Sequence, residues 1–189
     1  MSENKWKKEI CTVPNLLSLF RLLLIPIYLH CYREKAYLLA GAILTLSCLT
    51  DLADGWIARK FHMISNLGKV LDPLADKLTQ FFLLLSLARI YPMIRPMLVL
   101  FLIKELFQLG TMLVFIRKGK VLEGALYAGK LCTCVLFVSL TVLVTLPDVG
   151  RNLLIVLISA DTALLLYAFY NYFLAYFGRN TKLTDLETE

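Results

Sequence analysis

Uncharged apolar runs recur along the whole chain, and they constrain its fold more than any other feature. Leu38–Leu49 is one such run and Leu78–Ala88 is another. Of the 189 residues, 59% are hydrophobic and 18% are charged, and the mean hydropathy is +0.70. A soluble domain of this size cannot bury so much apolar surface, whereas a helical membrane protein can turn it toward lipid. We therefore predict an all-α membrane protein.

The lengths of the apolar runs predict how many helices cross the bilayer. A spanning helix needs about 20 residues. The runs predict six transmembrane helices, at residues 15–32, 36–60, 67–91, 95–117, 125–147 and 152–177. Residues 1–13 contain Trp6 and three lysines, which predicts a short amphipathic helix in the membrane interface. We predict that residues 178–189 form a frayed polar tail. We also predict that residues 1–189 form a single domain.

The positive charge of the chain predicts its orientation in a membrane. The formal net charge is +6, but no interleaving of aromatic and basic residues accompanies it, so we expect no nucleic-acid partner. With the N-terminus inside, twelve basic residues fall on the cytoplasmic side and five on the opposite side. Cytoplasmic loops are enriched in Lys and Arg. We therefore predict a protein of a cytoplasmic membrane with both termini in the cytoplasm.

Four aspartates interrupt the apolar pattern, namely Asp51, Asp54, Asp72 and Asp76. The members of each pair are three or four residues apart, which places both carboxylates of a pair on one face of a helix. An aspartate at the centre of a membrane helix costs about 3 kcal/mol, so it is kept only where it has a partner. Carboxylate oxygens suit hard cations, which predicts bound Mg²⁺ or Mn²⁺.

The residues after Asp54 predict what such cations would hold. Gly55 and Ala58 let a ligand approach the helix backbone, and Arg59 can hold a phosphate in a bidentate way. Together they predict a diphosphate site. A small cation transporter is the alternative from another class, because intramembrane carboxylates also mark ion paths. The absence of an internal repeat and the confinement of all four aspartates to one half of the sequence count against it.

One stretch is similar to the signature of the CDP-alcohol phosphatidyltransferases at all eight fixed positions. It reads D-x-x-D-G-x-x-A-R, then eight residues, then G-x-x-x-D-x-x-x-D, from Asp51 to Asp76. The resemblance implies an enzyme that transfers a phosphatidyl group from CDP-diacylglycerol to an alcohol and releases CMP. It further implies that the four aspartates hold two divalent cations, that Asp76 is the general base, and that the protein is a homodimer.

The resemblance also assigns residues to the nucleotide and its phosphates, namely Asn15, Ser18, Gly55, Ala58, Arg59, Ser65 and Gly68. The first two belong to an opening segment, Pro14–Arg21, that resembles the first helix of the family. Helix capping after Pro14 is an equally good interpretation of Asn15. The two interpretations are compatible.

The alcohol acceptor is predicted from the branch of the family that the chain resembles most. That branch is the bacterial phosphatidylglycerophosphate synthases, which use glycerol 3-phosphate. An anionic acceptor needs cations, for which Lys104, Arg117 and Lys130 are the candidates. Cys132 and Met112 stand where these enzymes often have basic residues. A cardiolipin synthase of the same family, with phosphatidylglycerol as acceptor, is therefore the alternative.

Several polar residues also have purely structural interpretations. Lys104 can pair with Glu105, and Arg117 can belong to a plain positive loop on the cytoplasmic side. Asp161 is isolated from other charged residues within the last predicted helix. We expect it either to pair with a lysine or to face a dimer seam. The two histidines, His30 and His62, are predicted to be interfacial or packing residues.

Overall fold

The computed structural model of the chain describes residues 12–60, 68–117, 120–122, 127–177 and 183–185. Within these ranges the chain forms six α-helices. Their bounds are Val13–Arg33 (α1), Tyr37–Lys60 (α2), Gly68–Ile90 (α3), Arg95–Arg117 (α4), Tyr127–Thr145 (α5) and Arg151–Phe177 (α6). A 3₁₀ turn, Pro92–Ile94, precedes α4. Two three-residue strands, Lys120–Leu122 (β1) and Leu183–Asp185 (β2), pair in antiparallel fashion.

The helices predicted from the apolar runs are confirmed, with every end within two residues of its predicted position. Prolines account for several of these ends. Pro14 lies in the first turn of α1, where the missing N–H would have no helical partner anyway. Pro92 opens the 3₁₀ turn, and Pro147 follows the end of α5. Pro26 and Pro73 lie inside α1 and α3.

Four helical stretches are long and apolar enough to cross a membrane, namely Val13–Arg33, Tyr37–Ile57, Pro92–Phe115 and Arg151–Phe177. The apolar part of α5, Gly129–Thr145, is shorter. The 23 residues of α3 would suffice in length, but Asp72, Asp76, Lys77 and Arg89 make it more polar than the other helices. The apolar helices identify the chain as an integral membrane protein. The predicted total of six spans goes beyond what length and composition establish.

The chain forms two compact units, and the first comprises residues 1–89 and 140–148. It contains α1, α2, α3 and the last residues of α5. The helices α1 and α2 pack together, and the side chains of Leu44 and Leu83 are buried within this unit. A side-chain carbon at Gly41 would lie 3.1 Å from Cβ of Thr145. Glycine at this position therefore lets α2 and the end of α5 approach closely.

The second unit comprises residues 90–139 and 149–189. Here α4 packs against α6, with the Phe107 ring centred 5.0 Å from that of Phe169. The strand register pairs Lys120 with Asp185. The polar tail was expected to fray, but its residues in β2 are held by β1, and this strand pair was not predicted.

Two other predictions about the organisation of the chain stay predictions. The proposed interfacial helix, residues 1–13, lies almost entirely outside the described residues, which begin at Thr12. The single domain is likewise neither confirmed nor excluded by the division into two compact units.

Candidate active site

The four aspartates lie on two helices that are consecutive in the sequence. Asp51 and Asp54 are in the C-terminal half of α2, and Asp72 and Asp76 are in the N-terminal half of α3. This confirms the prediction that each pair lies on one helix. The connection between the two helices, residues 61–67, is outside the described part of the chain.

A single side chain from α1, Arg21, contacts the carboxylates of both pairs. Its Nη1 atom lies 2.5 Å from Oδ1 of Asp51 and 2.5 Å from Oδ1 of Asp76. Its Nη2 atom lies 3.0 Å from Oδ2 of Asp54 and 3.6 Å from Oδ1 of Asp72. Three helices of the first unit therefore meet at one guanidinium group.

The burial of these side chains divides the cluster into an inner and an outer part. The Arg21 side chain is 2% exposed and that of Asp54 is 3% exposed. The side chains of Asp51 and Asp72 are each 42% exposed, and that of Asp76 is 38% exposed. Arg21 and Asp54 thus form a buried ion pair, whereas the other three carboxylates stay accessible from one side.

Ser18 lies one turn before Arg21 on the same face of α1, because residues three apart in a helix are neighbours. Its side chain is fully buried. The hydroxyl group is within hydrogen-bonding distance of Oδ1 of Asp72 and lies 3.0 Å from the carbonyl oxygen of Pro14. A hydroxyl has one proton, so it donates to one of these oxygens at a time. The structure therefore brings Ser18, a predicted site residue, to the aspartates.

Asn15 lies a further turn back and is also buried, at 4% exposure. The interpretation of Asn15 as a helix cap is wrong. The helix begins at Val13, and Thr12 occupies the N-cap position. Pro14 can stand within the first turn because its fixed φ angle suits a helix, so the helix starts before Asn15 rather than at it.

The remaining residues assigned to the nucleotide lie near the ends of α2 and α3. Gly55 directly follows Asp54, and Gly68 is the first residue of α3. Ala58 and Arg59 belong to the last turn of α2, but their side chains are not among those that the structure describes. Ser65 lies outside the described residues.

The residues predicted to bind the acceptor lie in the second unit. The Lys104 side chain is buried, and its Nζ lies 2.6 Å from Oε1 of Glu105 and 5.7 Å from the ring centre of Tyr172. The alternative interpretation of Lys104, a pair with Glu105, is therefore confirmed. Arg117 and Lys130 are exposed, at the end of α4 and near the start of α5.

Asp161 also lies in the second unit, within α6, and is 1% exposed. Neither of its carboxylate oxygens has a hydrogen-bond partner in good geometry among the residues that the structure describes, although the Ser139 hydroxyl is close enough to interact with it. The lysine partner predicted for it is not found in that part of the chain. A contact at a dimer seam is also wrong, because the side chain is buried within its own chain.

The aspartate cluster fits divalent cations by its charge and by its donor atoms. The guanidinium of Arg21 balances only one of the four negative charges that it contacts. In the described ranges no three Asp, Glu, His or Cys side chains surround a common ion position, because the carboxylates face Arg21 instead. Hard carboxylate oxygens from two helices, three of them on accessible side chains, are the donor type that Mg²⁺ and Mn²⁺ prefer.

Arg21 is the site residue that sequence reasoning missed. It is part of the Pro14–Arg21 segment, but no role was assigned to it. The available signal was an arginine within a helix that is otherwise free of charge from Val13 to Tyr32. Such a residue needs a charged partner, because isolated charges within apolar helices are costly.

The fold and the site define a helical membrane protein with a carboxylate cluster built from consecutive helices. The model of the CDP-alcohol phosphatidyltransferase family matches residues 11–176. The chain therefore belongs to this family, which is a family of enzymes.

Three relatives illustrate the similarity within the family. The CDP-diacylglycerol–glycerol-3-phosphate 3-phosphatidyltransferase of Aquifex aeolicus is 39% identical over 132 residues, which cover 69% of this chain and 73% of the relative. A protein of Mycobacterium tuberculosis named "Probable phosphatidylglycerophosphate synthase" is 32% identical over 135 residues, covering 68% and 64%. The human cardiolipin synthase (CMP-forming) is 42% identical over 86 residues, covering 45% and 27%.

Proposed function

We propose that this enzyme transfers the phosphatidyl group of CDP-diacylglycerol to glycerol 3-phosphate, giving phosphatidylglycerophosphate and CMP. One observation carries the proposal: the four signature aspartates, from α2 and α3, all lie around the guanidinium group of Arg21. The names of the relatives from Aquifex aeolicus and Mycobacterium tuberculosis support this choice of acceptor.

In this proposal the four aspartates hold two divalent cations, Mg²⁺ or Mn²⁺. When bound, such cations neutralise the diphosphate of the donor and stabilise the attacking and leaving oxygens. Asp76 takes the proton of the acceptor hydroxyl, as its partly exposed carboxylate permits. A bond then forms between that hydroxyl oxygen and the phosphorus of the phosphatidyl group, while the bond from this phosphorus to the CMP oxygen breaks. Ser18 orients Asp72 through its hydroxyl group.

The nucleotide and its phosphates are proposed to contact the residues that the family pattern assigns to them, namely Asn15, Ser18, Gly55, Ala58, Arg59, Ser65 and Gly68. Ser18 supports its part of this assignment, because its hydroxyl group lies next to the Asp72 carboxylate. Gly55 supports it through its place directly after Asp54, where it adds no side chain to the wall of the site.

The acceptor is proposed to meet Arg117 and Lys130, whose side chains are exposed. Lys104 was included in this set from the sequence, but its charge is already balanced by Glu105, which weakens its part. Phosphatidylglycerol is the second candidate acceptor. Two observations support it: few basic side chains are left to bind a small anionic acceptor, and the chain is similar to human cardiolipin synthase.

We further propose that all six helices cross the bilayer and that both termini and the aspartates face the cytoplasm. The distribution of basic residues supports this orientation. A homodimer is proposed from the family pattern alone.

The decisive experiment follows the release of CMP from CDP-diacylglycerol by the purified protein with Mn²⁺. Glycerol 3-phosphate, phosphatidylglycerol, serine and inositol phosphate are supplied separately, and the lipid products are identified. We expect release that depends on glycerol 3-phosphate. Release only with phosphatidylglycerol would select the second candidate, and no release with any acceptor would reject the proposed reaction.

A further inference from the structure

We propose that Arg21 is a resident counter-ion of the aspartate cluster, which holds the four carboxylates together before divalent cations bind. This inference rests on the proposed function, because it assumes that the cluster binds cations. It assigns Arg21 a positioning role that depends on cation loading.

The first argument is geometric. The two terminal nitrogens of one guanidinium reach carboxylates on two other helices, at 2.5 Å for Asp51 and Asp76 and 3.0 Å for Asp54. A guanidinium is planar and carries five N–H donors in a fixed fork, so it can bridge several carboxylates that an ammonium group would contact only in part. Arg21 therefore fixes the spacing between α2 and α3 at the site.

The second argument is electrostatic. Four carboxylates that all lie within 3.6 Å of one guanidinium repel one another, and the charge of the buried Asp54 is screened less than it would be in water. Arg21 is 2% exposed, so its attraction to the carboxylates is screened little. It offsets part of the repulsion while no cation is bound. Bound cations would offset the same repulsion, so the contribution of Arg21 to stability should shrink when they bind.

The test compares Arg21→Met with Arg33→Met in thermal unfolding of the full-length protein in detergent. Arg33 is a matched control, because it is an exposed arginine on the same helix. Unfolding can be followed with a thiol-reactive fluorophore, since Cys31 is a free cysteine buried in the first unit. Each protein is measured with EDTA and with an excess of Mn²⁺.

We expect Arg21→Met to lower Tm by on the order of 10 °C in EDTA, because breaking a buried ion pair is strongly destabilising. In Mn²⁺ the difference from the parent protein should fall to half or less. Arg33→Met should match the parent protein in both conditions. A purely structural arginine would instead give the same loss of Tm with and without Mn²⁺, and that result would overturn the inference.

Two further measurements keep the outcome decisive. Arg21→Lys retains the charge and tests the same point if Arg21→Met cannot be purified: its loss of Tm should also be larger in EDTA than in Mn²⁺, and equal losses would reject the role. The parent protein separates this inference from the proposed function. If Mn²⁺ does not raise the Tm of the parent protein, the cation site itself fails. If Mn²⁺ does raise it, the variants test Arg21 alone. A smaller loss of Tm in Mn²⁺ than in EDTA supports the role of Arg21, and equal losses reject it.

Discussion

Asp54 and Asp76 have the same side chain but occupy different environments within one cluster. Asp54 is almost fully buried against Arg21, whereas more than a third of the Asp76 side chain is exposed. A buried carboxylate contributes mainly to the assembly of the site, and an accessible one can exchange a proton with a substrate. The two residues should therefore respond differently to the same substitution.

Asp76→Asn should lower turnover at least about 100-fold, because an amide cannot accept the acceptor proton. It should change the free energy of unfolding by about 1 kcal/mol or less, since partly exposed ion pairs contribute little. Asp54→Asn should lower both turnover and stability, the latter by about 1–2 kcal/mol, because the buried hydrogen bond from Arg21 then has an uncharged acceptor. CMP release and thermal unfolding measured on both variants check this. Full activity of Asp76→Asn would remove Asp76 as the base.

Asp161→Asn should stabilise the protein by about 1–3 kcal/mol, because a buried carboxylate without a charged partner is costly in an apolar helix. The amide has nearly the same shape and no charge. Turnover should not change, since Asp161 is not part of the aspartate cluster. Thermal unfolding together with the CMP assay checks both expectations. A lower Tm would show that the carboxylate makes a stabilising interaction.

At the scale of the elements, helix packing depends on a few positions without side chains. Gly41 lies against Thr145, whose hydroxyl is held by a hydrogen bond of 2.8 Å to the carbonyl oxygen of Thr141. Gly129 lies under the Tyr172 ring, where a side-chain carbon would be 3.1 Å from Cε2. Gly110 has open space around it. Only the first two glycines are required by their neighbours.

Gly41→Ala should destabilise the protein by about 1–3 kcal/mol, because the new methyl group collides with a side chain that is fixed in place. Gly110→Ala is the matched control and should be neutral or stabilising by up to about 1 kcal/mol, because alanine is the better helix former. Thr145→Ala should partly rescue Gly41→Ala by removing the atoms beyond Cβ. Equal Tm values for Gly41→Ala and Gly110→Ala would contradict the close approach of Gly41 to Thr145.

Much of the helical framework could be predicted from the sequence, because each apolar run is bounded by proline, glycine or charged residues. The pairing of β1 with β2 could not, since three-residue strands carry little pattern and these two are far apart in the chain. The four aspartates were found through their spacing, which is local. The role of Arg21 was missed because its partners are 30 to 55 residues away and meet it only through packing.

For the whole molecule, orientation is the property that most needs a direct test. A reporter enzyme that is active only outside the cytoplasm should be active when fused after Lys35 or after Gly150. It should be inactive when fused after Lys118 or at Glu189, because basic residues are retained on the cytoplasmic side. Activity at Lys118 would reverse the proposed orientation and place the aspartates on the outer face.

The position of Arg21 in the chain has a consequence for biogenesis. Ribosomes synthesise α1 before α2 and α3, so the arginine is present in the membrane before any of the carboxylates that it contacts. The helix α3 is the most polar of the three. It can then enter the membrane next to the positively charged Arg21 rather than among lipid tails. The order of the helices in the gene thus gives the least lipid-soluble segment a partner at the moment of its insertion.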